Sequence, residues 1–429
     1  MRTSLSLCRD PVVSWLQTRG LIHTVGGSPL PASTYSVYAG FDPTASSLHL
    51  GNLAVILALD RFKRAGNRVV CLVGGATGLV GDPSGKHRDR ELLDLELVRQ
   101  HTRGITRDLE RILGTEQVEI VNNLDWYQNM SAIDFLRDVG KNFRLSSMLA
   151  KDSVKSRLES SVGLSFTEFS YQVLQAYDFF ILNRDKQVML QIGGSDQWGN
   201  ITAGLDLISK HGREACGVTL PLLTTSSGEK FGKSEGNAIW VSAEEKHVYQ
   251  MYQYLLNVRD EDVKDLLKKL TLLELEEIES VVQQHAQNPD QRIGQQRLAQ
   301  EVVSYVHSEA VFQKLKDSSS ALFSESLDLE KIDVASFIEL CQSSGVPLVH
   351  LPLDQVLGKS YKEFLPKCNL AGSGKEAVRL INAGGLTVNQ KRVSTPAELV
   401  SSDHLLQGQL MLLRIGKKKY CLVCIGDRS

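Results

Sequence analysis

Residues 37–73 run through a short β-prone stretch, a turn, a helical pattern and a second apolar stretch, and that order dictates a parallel sheet. Val37–Phe41 reads as a strand. Asp42-Pro43 ends it, because proline has no amide hydrogen for a ladder and sets a turn. Ser46 and Ser47 can cap a helix after the turn, where Leu53, Ile56, Leu57 and Phe62 recur at helical spacing until Gly66. Arg68–Val73 is a second strand, apolar from Val69. Strand, helix and strand in this order form a βαβ unit. Ligands of such sheets bind beyond the carboxyl ends of the strands, where the Asp42 turn and a glycine loop after Val73 both lie. The helix start aims backbone N–H groups and a positive dipole end there, which suits phosphate. His49 can donate to a phosphate oxygen, and Gly51 leaves room for a flat ring. Taken alone, they read as a helix-start histidine and a turn glycine.

The glycine loop, Gly74 to Lys86, is not a Walker motif, because Gly81 stands one residue too close to Gly85-Lys86 and no Ser or Thr follows. Lys86, Arg88 and Arg90 are either an exposed charged loop or phosphate contacts. Residues 92–160 read as a helical insertion with one strand near Val118–Val121 and a turn at Asn122–Trp126. Its helix Ile133–Phe143 is apolar on one side, for core or for a subunit interface. Phe166–Leu182 is mostly apolar and of helical length, yet Tyr171, Gln175 and Asp178 fall on one face at i, i+4 and i+7. Buried, such a face costs about 1–3 kcal/mol per unsatisfied polar atom. It is therefore a self-satisfied network or a pocket for a small polar ligand, and a zwitterion with a hydroxyl would use all three groups. Val188–Ile192 leads to Gly193-Gly194-Ser195-Asp196-Gln197. There the glycines allow close backbone approach, and Asp196 suits a ribose. Pro221-Leu222-Leu223 is expected to begin the last strand. Gly228 to Ser234 is a near miss for a P-loop, with two lysines able to close on phosphates.

No apolar run is long enough to span a membrane. The net charge of −2 hides an asymmetry: residues 355–429 hold 12 Lys+Arg against 5 Asp+Glu, the remainder 36 against 45. A basic tail on an acidic body points to nucleic acid. Of seven cysteines, only Cys421 and Cys424 form a C-x-x-C, and no second pair completes a zinc site. Residues 243–320 are helical with acidic faces, 321–354 a connector, and 355–429 a small α+β domain. The first residues carry three Arg, one Asp and several Ser/Thr, like an organelle leader over 1–13, although Ser14–Val25 can equally open the folded body.

Four stretches carry a family resemblance: GFDPTASSLHLG, LVGGATGLVGDPSGK, FTEFSYQVLQAYDF and LQIGGSDQWGNITAG. With them, His49-Leu50-Gly51-Asn52 matches the class I HIGH signature and Lys230-Phe231-Gly232-Lys233-Ser234 the KMSKS signature. The chain resembles the tyrosyl-tRNA synthetases of bacterial and mitochondrial type, class I enzymes, from about Trp15 to its end. The resemblance implies a Rossmann-like α/β catalytic domain (14–242, insertion about 92–160), a helical anticodon-binding domain (243–320) and an S4-like RNA-binding domain (355–429). It implies that tyrosine and ATP form tyrosyl-adenylate and pyrophosphate, and that the tyrosyl group then passes to tRNA(Tyr). Tyr38 and Asp178 would hold the substrate phenol. Tyr171, Gln175 and Asp82 would hold its ammonium group, with Asp42 between ammonium and ATP. Gln197 would touch the carboxyl side, supported by Gln191. Gly194 and Asp196 would take the ribose, Gly51 the adenine, and Gly40, Asn52 and Asp42 further ATP contacts. His49 and Thr44 would bind the γ-phosphate, while Lys86, Arg90, Lys230 and Lys233 would clamp pyrophosphate. Mg²⁺ would arrive with ATP, with no protein-bound metal or prosthetic group. A homodimer, no membrane, and a mitochondrial matrix location (alternatively a bacterial cytoplasm) complete the expectation. Asn52 departs from the second His of HIGH, Phe231 from the Met of KMSKS, and Ala39 from a Cys that contacts ribose in some members. A nucleotidylyltransferase would not need the helical and basic parts, tryptophanyl-tRNA synthetase would not want the Tyr38/Asp178 pair, and an RNA-binding protein without catalysis would not keep His49, Lys230 and Lys233.

Overall fold

The computed structural model describes residues 10–84, 93–151, 154–155, 158, 163–234, 237–323, 334, 337–338, 341, 346–416 and 419–426. Within them the βαβ pattern becomes a six-stranded sheet of β1 (Thr24–Gly27), β2 (Ser36–Phe41), β3 (Arg68–Val73), β4 (Val118–Asn122), β5 (Val188–Gly194) and β6 (Cys216–Leu220). The spatial order is β1-β6-β5-β2-β3-β4. Five strands are parallel, and β1 closes one edge antiparallel to β6. The chain leaves β2 toward β3 and β4 on one side, then fills the other side with β5 and β6. The order therefore reverses between β2 and β5, the switch point at which such sheets open a crevice.

Strand β2 is buried at all but Gly40, because helices cover both faces. Helix α1 (Pro11–Thr18) starts at Asp10, whose carboxylate accepts from the amides of Val12 and Val13, with Pro11 in the first turn. Helix α2 (Leu53–Arg64) follows β2, and α3 (Leu95–Leu113) precedes β4. On the opposite face, α4 (Phe166–Lys186) and α5 (Trp198–Lys210) pack Phe179, Leu182, Leu207 and Ile208 against Tyr38, Val70 and Val188.

Three expectations meet the structure. Residues 10–13 of the expected leader stand in the folded body, where Asp10 caps α1 and Val12 and Val13 are buried; residues 1–9 lie outside those described. The last strand precedes Pro221 and ends at Leu220, since proline cannot donate to the ladder. The stretch 92–160 is not all insertion: α3 and β4 belong to the sheet layers, and β4 pairs with β3 from Val118 to Asn122.

The chain divides into two compact units, residues 1–243 with 254–307, and residues 244–253 with 308–429. Helix α6 (Glu245–Leu256) runs through one of these divisions. Helices α7 (Asp260–Leu270), α8 (Leu275–Gln287) and α9 (Ile293–Val306) complete the first unit. Arg19 lies 4.0 Å from the Trp15 ring and caps the end of α7, donating to the carbonyls of Lys268, Thr271 and Leu273. The second unit holds α10 (Glu309–Phe323), β7 (Leu348–Leu351), α11 (Gly374–Asn382), β8 (Leu386–Val388), β9 (Lys391–Arg392), β10 (Leu410–Ile415) and β11 (Lys419–Ile425). Its sheet runs β9-β8-β10-β11-β7. Cys421 and Cys424 lie in separate apolar clusters on the two sides of β11. Among the described residues, no helix is long and apolar enough to cross a membrane.

Candidate active site

The carboxyl ends of β2 and β5 bring the two halves of the expected site to one rim. Tyr38, on β2, is level with Gln191 on β5. Both are buried, and neither Tyr38 Oη nor Gln191 Oε1 has a hydrogen-bond partner among the described residues. Buried polar atoms are normally satisfied by protein groups, ordered water or a ligand, and these two stand at paired positions on adjacent strands. Burial, with the nearby Asp178 charge added, pushes the Tyr38 phenol well above its ordinary range, so Tyr38 stays protonated as a donor.

Asp178 is 2% exposed and is held by residues that sequence reading passed over. Asn123 Nδ2 donates to its Oδ2 at 3.0 Å, and Trp126 Nε1 to its Oδ1 at 2.9 Å. Tyr127 Oη lies by both this carboxylate and the Leu174 carbonyl, 2.9 Å from the latter; its one proton serves one at a time. The network runs on through Asn123 Nδ2, 3.0 Å from Thr77 Oγ1, which donates to Asp42 Oδ1 at 2.7 Å. Tyr171 Oη donates to Asp42 Oδ2 at 2.6 Å. On the polar α4 face, Tyr171 and Asp178 have protein partners and Gln175 is half-buried.

Burial pushes the Asp178 carboxyl up to about 7, against the pull of its donors. The folded value lies above the unfolded one, about 3.9. The folded chain thus keeps a proton that the unfolded chain releases between about pH 4 and pH 7, and stability from this group falls as pH rises through that window. In urea unfolding without tyrosine, the wild type is expected to lose up to about 1.4 kcal/mol per pH unit there relative to Asp178→Asn. Parallel pH curves would mean that the three donors keep Asp178 ionised throughout.

A second polar group lies beyond β5. Gln197 Nε2 donates to Asp82 Oδ2 at 2.8 Å and sits 3.4 Å from Asp196 Oδ2. Asn200 Nδ2 reaches Gln197 Oε1 at 3.3 Å. Burial first, and then the Asp82 charge, raises the Asp196 carboxyl; Lys230 acts in the opposite sense.

The two signature loops touch. Segment 239–241 returns from the lysine loop onto the His49 loop: Leu50 N donates to Ile239 O at 2.7 Å and Val241 N to Leu48 O at 2.9 Å. Gly232 has φ +81°, a conformation that favours glycine, and a Cβ there would lie 3.1 Å from Gly51 N. Phe231 is buried edge-on to Tyr254, whose Oη accepts from Gly232 N at 2.9 Å. Asn52 Oδ1 accepts from His49 N at 3.1 Å, so the departure from HIGH serves to cap the helix start. The His49 imidazole edge is exposed to the cleft, but close neighbours dehydrate the ring and Lys233 adds positive charge, so its pKa is lowered. Thr44, Lys230, Lys233 and Gly40 are exposed, and Gly194 is half-buried at the end of β5. Lys86 and Arg90 lie outside the described residues.

Known proteins are similar to this chain over most of its length. The family described as tRNA synthetases class I (W and Y) matches residues 31–324. Tyrosine–tRNA ligase 1 of Bacillus subtilis is 46% identical over 90% of this chain and 92% of its own length. The tyrosine–tRNA ligase of Protochlamydia amoebophila is 43% identical over 96% and 98%. The chain belongs to the tyrosyl-tRNA synthetases. The tyrosine–tRNA ligase SYY-like C-terminal domain matches residues 341–423, which includes β7. The mitochondrial enzyme of Drosophila melanogaster is 40% identical over 90% of this chain and 87% of its own. A crystal structure of a C-terminally truncated Aspergillus nidulans mitochondrial tyrosyl-tRNA synthetase covers 73% of this chain and 95% of that one, at 30% identity and TM-score 0.64. Bacterial and mitochondrial synthetases are thus similarly close. The known reaction of this family is aminoacylation of tRNA(Tyr), and it uses ATP.

Proposed function

We propose that the cleft between β2 and β5 joins tyrosine to ATP, and that the tyrosyl group then leaves for the 3′ end of tRNA(Tyr). The observation that carries this reading is the buried Tyr38 hydroxyl, unpartnered among the described residues, beside Asp178. A substrate phenol would accept from Tyr38 and donate to Asp178. Tyr171 has committed its proton to Asp42, so its Oη can accept from an ammonium group. Asp82, Gln175 and Gln197 stand nearby for the amino-acid end, with Gln191 supporting. Asp196 with Gly194 suits the ribose, Gly40, Gly51 and Asn52 the rest of the nucleoside, and His49 with Thr44 the γ-phosphate.

In the first step a tyrosine carboxylate oxygen bonds to the α-phosphorus, and the α–β bridging bond breaks to release pyrophosphate. In the second, a terminal ribose hydroxyl attacks the tyrosyl carbonyl and AMP leaves. No side chain acts as nucleophile. The protein aligns the reactants, His49 offers a hydrogen bond from a neutral ring, and Lys230 and Lys233, with Lys86 and Arg90 by proposal, place positive charge where negative charge builds. Mg²⁺ comes with the ATP phosphates and shields them.

The remaining assignments rest on surfaces and composition. Residues 243–320 are proposed for the anticodon and residues 355–429 for tRNA as an S4-like domain. Arg392 and Arg414 are both in register with Thr387 and exposed, with Arg379 and Lys419 also exposed. Ile133, Leu145 and Phe166 are 70%, 65% and 78% exposed, an apolar surface that favours a homodimer. The leader composition favours the mitochondrial matrix over a bacterial cytoplasm.

ATP–pyrophosphate exchange with each amino acid tests the central reading. Exchange with tyrosine alone is expected; brisk exchange with tryptophan would refute it. Tyr38→Phe separates ligand binding from folding. It removes an unsatisfied buried atom, so the ligand-free protein is expected to gain about 1 kcal/mol while tyrosine affinity falls about fivefold. A loss of both would make Tyr38 a structural residue only.

A further inference from the structure

Helix α3 lays one stripe of side chains along the loop that leads to His49. His101 Nδ1 donates to Pro43 O at 3.0 Å. A Cβ on Gly104 would sit 1.9 Å from Ser46 O, so only glycine lets the loop lie this close. Asp108 Oδ2 accepts from Ser47 Oγ at 2.6 Å and from Leu48 N at 3.2 Å. Arg111 Nη2 donates to Asp108 Oδ1 at 3.0 Å. These positions are spaced three, four and three apart, a single helical face.

Arg111 reaches further than the loop. Its Nη2 also donates to Val241 O at 2.6 Å, on the segment returning from the lysine signature. Its Nη1 donates to Val306 O at the end of α9 and to His307 Nδ1, which is 3.1 Å away. Burial, with the Arg111 charge added, pushes the His307 ring down to about 3, so it is neutral and accepts. One planar guanidinium with five N–H donors thus joins the backing of the His49 loop, the return of the lysine loop and the end of the helical region. Lysine has the charge but not the fork.

We propose that Asp108 and Arg111 are positioning residues for the ATP half of the reaction, setting together the pose of residues 47–49 and of residues 239–241. This rests on reading the cleft as the tyrosine and ATP site. The pair touches neither tyrosine-pocket carboxylate; it acts on the segments that present His49 and the lysine loop to the phosphates. Small displacements of a phosphate-binding group are costly because the reacting geometry is narrow.

The test uses the full chain. Wild-type exchange with tyrosine comes first; its absence would fail the cleft reading, apart from this inference. In Arg111→Met, kcat/KM for ATP in exchange is expected to fall about 30-fold, while the Kd of tyrosine alone, by calorimetry, stays within about twofold. Arg111→Lys should recover less than about half of that loss on a logarithmic scale. Ser47→Ala, which leaves the Asp108–Arg111 pair in place, should lower the same ATP parameter about fivefold while the Kd of tyrosine stays within about twofold. An ATP parameter within about threefold of wild type in Arg111→Met, or tyrosine Kd weakened in step with it, overturns the proposal. If Arg111→Met does not fold, Ser47→Ala decides, and an unchanged ATP parameter there overturns it.

Discussion

Asp178→Ala is expected to lower tyrosine-dependent ATP–pyrophosphate exchange by about 10²–10⁴-fold, the effect of two or three buried groups losing their partner at about 1–3 kcal/mol each. Asp178 accepts from Asn123 and Trp126 in the ligand-free protein. Removing the carboxylate leaves both donors facing a cavity, and leaves a bound tyrosine phenol with no acceptor. Water entering the space would relieve part of the cost, which sets the lower end of the range. The loss should fall mainly on tyrosine affinity, with ATP affinity little changed, because Asp178 lies on α4, on the face proposed for tyrosine, and not on either signature loop. Asp178→Asn should behave nearly as badly. Its amide oxygen can serve one donor, but its amide NH₂ meets either Asn123 or Trp126 head-on. Exchange within about fivefold of wild type in the alanine variant would move the tyrosine pocket elsewhere.

The catalytic signatures were legible because each depends on neighbours in sequence. His49 follows a strand and a turn, and Lys230 to Lys233 brackets a glycine that must adopt positive φ. The i, i+4, i+7 face of Tyr171, Gln175 and Asp178 needed only helical geometry. The groups that support them were hidden because they depend on chain crossings. Asn123 and Trp126 read as turn residues after a strand. Their role appears only when β4 pairs with β3 and brings that turn over α4. Thr77 looked like part of a glycine-rich loop, yet its hydroxyl connects Asn123 to Asp42.

Some elements had no local signal at all. Strand β1, Thr-Val-Gly-Gly, ends in two glycines, which disfavour a strand, and it exists because β6 offers it an open edge. Its Gly26 also makes room for Trp198, whose ring would lie 2.8 Å from a Cβ there. In sequence Asp108 is one of several charges between Arg99 and Arg111. Its hydrogen bonds to Ser47 and Leu48 span about sixty residues of sequence, a separation no periodicity can report.

Removing the basic end of the chain should separate the two half-reactions. The composition places the start of the basic region near 355, but β7 at Leu348–Leu351 pairs with β11, and Phe337, Cys341 and Val346 pack on Leu412 and Leu422. A cut at 355 would strand that apolar surface, so the informative cut follows Phe323, the end of α10. The residues proposed for tyrosine and ATP all lie in the unit built from residues 1–243 and 254–307. Deleting residues 324–429 is therefore expected to leave tyrosine-dependent exchange within about threefold of wild type. Charging of tRNA should fall at least about 100-fold at 0.15 M salt, since several phosphate contacts vanish together. Salt supplies a second readout. Charging by the full chain should decline steeply between about 50 and 200 mM salt, and the residual charging by the truncated chain should decline more gently, because fewer counterions are released. An equal loss in exchange and charging would make the basic domain a structural part of the catalytic unit. Charging that survives the cut with an unchanged salt slope would place the tRNA contacts on the acidic body, against its net charge of −9 for residues 1–354.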